Sequence, residues 1–254
     1  MLSGILLDLG GVVYVGDQVL PGAVQAIERL RAAGAGIRFL TNTTRKPRAD
    51  MLCKLRNLGV PAEPNELFMP ATAARDHLAA ARLQPHLLVH PALEADLEGL
   101  GGDAGTAVVV GDAGRSFDYR RLNAAFRALL EADAFLALAK NRVFQDADGR
   151  LSLDAGPFVA ALEFASGRSA TVLGKPSAAF FQAAVDSLGC APEEAVMVGD
   201  DVEADVGGAM AVGLSGLLLR QGKYQAGDED TIDPAPTAVL DDLPAAVDWI
   251  LSKR

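Results

Sequence analysis

The chain has 254 residues, 50% of them apolar and 22% charged, with a formal net charge of −10 at pH 7. That length suits one large domain or two smaller ones, and the composition is globular rather than disordered. The excess of acids does not suit a nucleic-acid partner, which needs a basic face, or an anionic membrane surface, and neither is expected. It leaves small phosphorylated ligands open, because one metal ion and one lysine reverse the local sign.

Residues 1–15 are apolar, but they lack a basic start and Asp8 interrupts them, so they are expected to form a strand and short loop rather than a signal peptide. Gly4-Ile-Leu-Leu-Asp8 predicts a buried strand opening into a tight loop at Gly10-Gly11. A helix follows from Pro21-Gly22, with Val24, Ile27 and Leu30 at helical spacing and Gly34 and Gly36 ending it. Ile37-Arg-Phe-Leu-Thr41 is the second strand, and 47–58 the next helix. The middle predicts strands at 86–90, 107–110 and 135–138, helices at 119–130 and 156–165, and a turn at 146–149. Thr171-Val-Leu173 then leads into Gly174-Lys175-Pro176. After it come a helix at 177–188 with Ser177 as N-cap, a strand at 195–198, a strand at 216–219 and a helix at 243–251. Alternation of strand and helix implies parallel strands joined by right-handed crossovers. Cys53 and Cys190 stand far apart and outside any CxxC spacing, so no disulfide framework or zinc site is expected and a reducing compartment fits. No run reaches the length of a membrane span, and a cytoplasmic location is expected.

In an open parallel sheet, ligands collect beyond the carboxyl ends of the strands. Polar groups stand at four such ends: Asp8, Thr41-Asn42, Lys175, and Asp200-Asp201. Each alone has a plainer reading, as a turn former, a strand-end hydroxyl, a solvated lysine or the acidic first turn of a helix. Together they supply what phosphoryl transfer needs: a nucleophile, acids for a cation, and donors for the phosphoryl oxygens. The density of carboxylates at Asp200, Asp201 and Asp205 calls for a neutralising cation.

The order of motifs resembles the haloacid dehalogenase-like hydrolases, in the branch with a large inserted cap. The matching segments are Asp8-Leu-Gly-Gly-Val-Val-Tyr14, Thr41-Asn42, Gly174-Lys175-Pro176 and Gly199-Asp200-Asp201-Val-Glu-Ala-Asp205. Arg38-Phe-Leu-Thr-Asn-Thr-Thr44, Gly156-Pro-Phe-Val-Ala-Ala-Leu-Glu163 and Gly222-Lys-Tyr224 carry the closer likeness to that branch. The resemblance implies an α/β fold, with a Rossmann-like parallel-sheet core at 1–76 and 168–254 and an α/β cap at 77–167. It implies a magnesium-dependent phosphatase in which Asp8 attacks phosphorus and forms an aspartyl-phosphate. Thr41 and Asn42 would hold phosphoryl oxygens, and Lys175 would steady nucleophile and phosphoryl charge. Mg2+ would sit between Asp8, the carbonyl of Gly10 and Asp200. Asp205 would hold the metal's water shell or the loop, with Asp201 as a supporting neighbour. A homodimer through the cap is also implied, with a small phosphorylated molecule as the substrate.

One position departs from the superfamily's pattern. Most of its phosphatases carry a second aspartate two residues after the nucleophile, as general acid and base; here that position is Gly10. The carbonyl for the metal survives, but acid–base help is lost, and that help is typically worth ~10²–10⁴-fold. The members that the chain resembles most are similar in lacking an acid there, with a serine-bearing version of the motif, which implies that the loss is not this chain's alone. Substrates with good leaving groups are therefore expected: phosphoramidates, acyl phosphates, pyrophosphate and aryl phosphates. Lys140, Asn141 and Arg142, after the 135–138 strand, are the candidate specificity residues of the cap, or simply a basic solvated turn. Gly111-Asp112 echoes Gly199-Asp200 but has no lysine before it and no acids after it, so it is expected to be a turn. His77, His86 and His90 show no ligand spacing.

Three other functions compete. A catalytically weak or inactive phosphate-binding protein on the same fold is favoured by Gly10. A dinucleotide-binding domain needs a GxGxxG spacing that Asp8-Leu-Gly-Gly-Val-Val lacks. A dehalogenase needs no metal, against which the paired Asp200 and Asp201 argue.

Overall fold

The computed structural model of the chain describes residues 2–60, 62–145 and 150–254. The turn expected at 146–149 lies outside them. The chain divides into two compact units. The first comprises residues up to Thr41, Leu52–Phe68 and Lys175–Arg254; the second comprises Asn42–Met51 and Met69–Gly174. These limits differ from the 76/77 and 167/168 breaks expected from the sequence. The first of those falls inside the helix Pro70–Ala81, whose Ala71, Ala74 and Leu78 are buried with Leu83, Leu93 and Leu136 of the second unit.

A six-stranded sheet forms the centre of the first unit, in the order Ala238–Leu240, Ser215–Leu219, Ala195–Gly199, Gly4–Asp8, Gly36–Leu40, Leu67–Phe68. Every pairing in it is parallel. The central strands read as unbroken apolar runs because both of their faces are covered; all five residues of Gly4–Asp8 and of Ala195–Gly199 are buried. From Gly4–Asp8 the chain builds outward through Gly36–Leu40 and Leu67–Phe68. It later returns to the other side with Ala195–Gly199. The reversal of strand order thus falls between Gly4–Asp8 and Ala195–Gly199, where Leu7 pairs with Val198. At such a switch point the loops leaving two neighbouring strands diverge and open a crevice.

The second unit holds a four-stranded parallel sheet in the order Thr171–Val172, Ala134–Ala137, Gly105–Val110, Leu83–Leu88, with an antiparallel hairpin of Val143–Gln145 and Leu151–Leu153. The strand expected at 86–90 begins earlier, at Leu83, and includes Pro85. Proline is tolerated there because the strand lies at the sheet's edge. Asp112 is buried as the sequence echo would not suggest. Its carboxylate accepts from both Nε and Nη2 of Arg45 and from the Gly114 N–H, while its own N–H donates to Thr44 Oγ1. Lys140 is paired with Glu163 at 2.7 Å, and Asn141 accepts from Asn42 Nδ2 at 3.5 Å. Among the described residues no helix is long and apolar enough to cross a membrane.

Candidate active site

Asp8 ends the first strand, and Asp200 directly follows the strand beside it, so the two carboxylates meet at the switch point of the first unit. Lys175 lies against Asp8 and Asp205. Its Nζ is hydrogen-bonded to Asp8 Oδ1 and lies 2.6 Å from Asp205 Oδ1. Asp8, Thr41, Lys175, Asp200 and Asp205 are all buried, at 7%, 6%, 3%, 2% and 1% exposure. Charges at that depth persist only when paired or ligated. Burial works against the Lys175 ammonium, yet Asp205 and Asp8 outweigh it and hold its pKa above the ordinary lysine value.

The segment after Asp200 is locally unusual. Val202–Gly207 forms one π-helical turn, a form that gathers at functional sites. Asp201 caps it, accepting from the Ala204 N–H at 2.9 Å. The turn brings Asp205 back beneath the strand end, where its Oδ2 accepts from the Asp201 N–H at 3.3 Å. Gly199 makes this possible: a Cβ there would lie 2.2 Å from the Cβ of Asp205.

The acidic set suits a divalent cation. One carboxylate oxygen from each of Asp8, Asp200 and Asp205 lies within 4.8 Å of the others. Asp200 Oδ1 is buried without a hydrogen-bond partner among the described residues. Burial, with Asp8 and Asp205 nearby, pushes the Asp200 carboxyl up to about 8. Burial likewise raises Asp205, against the pull of Lys175. Gly10 is exposed, and among the described residues a Cβ at that position would meet no atom within 4 Å beyond its chain neighbours.

Of the residues expected from the sequence, Asp8, Thr41, Lys175, Asp200, Asp201 and Asp205 gather in the first unit, with Gly10 on the loop after Asp8. Asn42 is counted with the second unit. Other groups were not foreseen. Lys223 donates its backbone N–H to Asp200 Oδ2 at 2.8 Å and its ammonium to Asp201 Oδ2 at 3.1 Å. Tyr14 is held by Lys54, whose ammonium lies 4.3 Å from the ring centroid, donates to the Gly16 carbonyl and pairs with Asp17. Burial and the charges of Asp8 and Asp17 raise the Tyr14 phenol above its ordinary pKa. Only the Gly222-Lys-Tyr224 likeness pointed toward the first of these.

Comparison with known proteins gives the family. Residues 5–103 match the family described as haloacid dehalogenase-like hydrolase, and residues 172–246 a second one described as haloacid dehalogenase hydrolase-like. The human haloacid dehalogenase-like hydrolase domain-containing protein 2 is 45% identical over 98% of this chain and 96% of its own length. The chain belongs to the haloacid dehalogenase-like hydrolase family. It is a hydrolase on that ground, with the parallel-sheet core of the family and a second α/β unit. The phospholysine phosphohistidine inorganic pyrophosphate phosphatase of Danio rerio is 40% identical over the whole chain and 96% of its own length. Among solved structures, a 4-nitrophenylphosphatase from Thermotoga maritima superimposes with a TM-score of 0.88 at 25% identity, covering 98% of this chain and 97% of that one. A glycerol phosphate phosphatase from Mycobacterium tuberculosis in complex with magnesium gives 0.83 at 27% identity, over 96% of this chain and 75% of that one.

Proposed function

We propose that the chain is a magnesium-dependent phosphatase that hydrolyses small phosphorylated compounds through an aspartyl-phosphate at Asp8 and favours labile phosphoryl groups. The observation that carries this is the buried Asp8–Lys175–Asp205 chain of charges beside an Asp200 oxygen that has no hydrogen-bond partner among the described residues. Asp8, Asp200 and the Gly10 carbonyl would hold Mg2+, which when bound offsets the charge of nucleophile and phosphate. That relatives of this chain are named as phosphatases, and that one neighbour was solved with magnesium, supports the same assignment.

The chain's own residues divide the work. A carboxylate oxygen of Asp8 forms a bond to phosphorus as the bond to the leaving group breaks. Lys175 holds that carboxylate in place and presents positive charge to the phosphoryl oxygens. Thr41, fixed at the end of its strand by its N–H bond to the Phe68 carbonyl at 3.1 Å, offers a hydroxyl donor. Water then attacks the aspartyl-phosphate, releasing phosphate and restoring Asp8. Nothing at Gly10 hands a proton to the departing group, so the leaving group must depart as an anion or take its proton from solvent. This is the reason to expect phosphoramidates, acyl phosphates, pyrophosphate and aryl phosphates ahead of alkyl esters. Catalysis in the cytoplasm belongs to the same proposal.

The test is a substrate panel with Mg2+ and with EDTA, comparing the parent chain with Asp8→Asn. Turnover of p-nitrophenyl phosphate and phosphoramidate is expected to need both Mg2+ and Asp8, and to exceed turnover of simple sugar phosphates. Faster hydrolysis of sugar phosphates would sink the leaving-group argument. The absence of an acid at Gly10 favours a second reading, a phosphate-binding protein with little or no activity. Equal rates for the parent and Asp8→Asn would establish that one instead.

A further inference from the structure

We infer that the loop at residues 221–224 is a positioning element for Asp200, with Lys223 as its latch. The inference rests on the metal-dependent reading above.

Asp200 Oδ2 is enclosed by backbone. The Lys223 N–H donates to it at 2.8 Å. A Cβ at Gly222 would come within 1.9 Å of the same oxygen, and a Cβ at Gly11 within 2.0 Å. Both glycines have left-handed φ values, +59° and +84°, and each one's Cβ position would also meet the other's Cα, at 2.8 and 3.0 Å. Two loops from distant parts of the sequence therefore converge on one carboxylate oxygen, at positions that only glycine fills without strain. The consequence is directional. Oδ2 is used and walled in, so Oδ1, buried and unpaired among the described residues, is the oxygen left for a cation.

The same loop is tied down on both sides. The Lys223 ammonium donates to Asp201 Oδ2 at 3.1 Å, and Asp201 Oδ1 caps the π-helical turn that carries Asp205. On the far side, Tyr224 packs against Val202, Val206 and Leu218 and donates its hydroxyl to Glu229 at 2.9 Å. Lys223 thus links the metal ligand Asp200, through its backbone, to the neighbouring acid, through its side chain. Groups that orient metal ligands from outside the first coordination sphere typically change metal affinity by 10–100-fold when removed.

Electrostatics alone predicts the opposite sign. Lys223 is a cation beside a cation site, and a residue present only as a counter-charge would oppose Mg2+ binding. Removing it would then tighten binding, whereas removing a latch loosens it.

Isothermal titration of the full-length chain with MgCl2 decides between these. We expect Lys223→Ala and Gly222→Ala each to weaken Mg2+ binding by about tenfold, and Lys223→Arg to restore affinity to near the parent's. Thermal denaturation without Mg2+ checks that each variant is folded, and Lys223→Ala, which adds no atoms, keeps the test decisive if Gly222→Ala does not fold. Tighter or unchanged Mg2+ binding by Lys223→Ala in a folded chain overturns the inference while leaving the metal-dependent reading in place. A parent chain that takes up no Mg2+ overturns both.

Discussion

Installing the missing acid is the sharpest test of how this site works. In Gly10→Asp the new side chain enters open space: among the described residues a Cβ at Gly10 meets no atom within 4 Å beyond its chain neighbours, and its φ lies outside the left-handed region. The carbonyl proposed for the metal is unchanged by the substitution. A positioned general acid contributes ~10²–10⁴-fold; the lower figure corresponds to about 2.7 kcal/mol removed from the barrier. That gain should appear where the leaving group is poor. Turnover of glycerol phosphate or a hexose phosphate is expected to rise about 10²-fold, with p-nitrophenyl phosphate changing far less, because nitrophenolate departs without a proton. The variant should also acquire a loss of activity at alkaline pH that the parent lacks, since the new carboxyl must be protonated to donate. Gly10→Asn supplies the same volume without an acid and should leave the rates near the parent's. The assay is phosphate release at saturating Mg2+ for both substrates across pH. An equal gain on both substrates would show that breakdown of the aspartyl-phosphate, and not departure of the leaving group, limits the parent. No gain in a folded, Mg2+-binding variant would show that position 10 does not face the leaving group at all. Either result refutes the reasoning.

Other outcomes follow from the same geometry. Lys175→Met leaves Asp8 and Asp205 buried without their shared cation; breaking a buried pair costs about 3 kcal/mol or more, so urea denaturation at neutral pH should show a clear fall in stability together with loss of turnover. The Asp200 carboxyl is raised to about 8 in the metal-free chain, so its contribution to stability is full below the unfolded value of 3.8 and is lost as pH rises through about 8. Mg2+ binds the ionised form, so the rise in melting temperature that it causes should grow from pH 6 to pH 9; a constant or shrinking shift would contradict the assignment of Asp200 as a ligand. Gly199→Ala places a Cβ 2.2 Å from that of Asp205, an overpacking that costs about 1–3 kcal/mol, and should lower both melting temperature and Mg2+ affinity. In the second unit, Asp112→Ala removes the acceptor of the Gly114 N–H and the partner of the part-exposed Arg45 guanidinium, and chemical denaturation should register a loss of about 1–3 kcal/mol.

The parts of this molecule that could be read in its sequence are those governed by local pattern. Gly4–Asp8 and Ala195–Gly199 are legible because strands covered on both faces must be continuously apolar, and an acid at the end of such a run stands out. Helices with a clear apolar stripe, such as Tyr119–Leu129, are legible for the same kind of reason. The helix Pro70–Ala81 is not: its buried face is Pro70, Ala71, Ala74 and Leu78, and alanines mark a face only weakly. The edge strand Ala238–Leu240 is three half-buried residues long, too short to carry a period. At the site, Asp8, Lys175 and Asp200 were legible as strand-end residues, but their support was not. What fixes the Asp200 carboxylate is the approach of Gly11 to Gly222 across more than two hundred residues, and a glycine announces only that its backbone is unusual, not which distant oxygen it faces. Lys223 illustrates the same limit. Its side chain reads as one more exposed lysine in a loop, while the bond that matters most comes from its backbone N–H, a group that every residue except proline possesses. Sequence pattern therefore exposes the groups proposed to react, whereas those proposed to aim them become visible only once the loops are brought together.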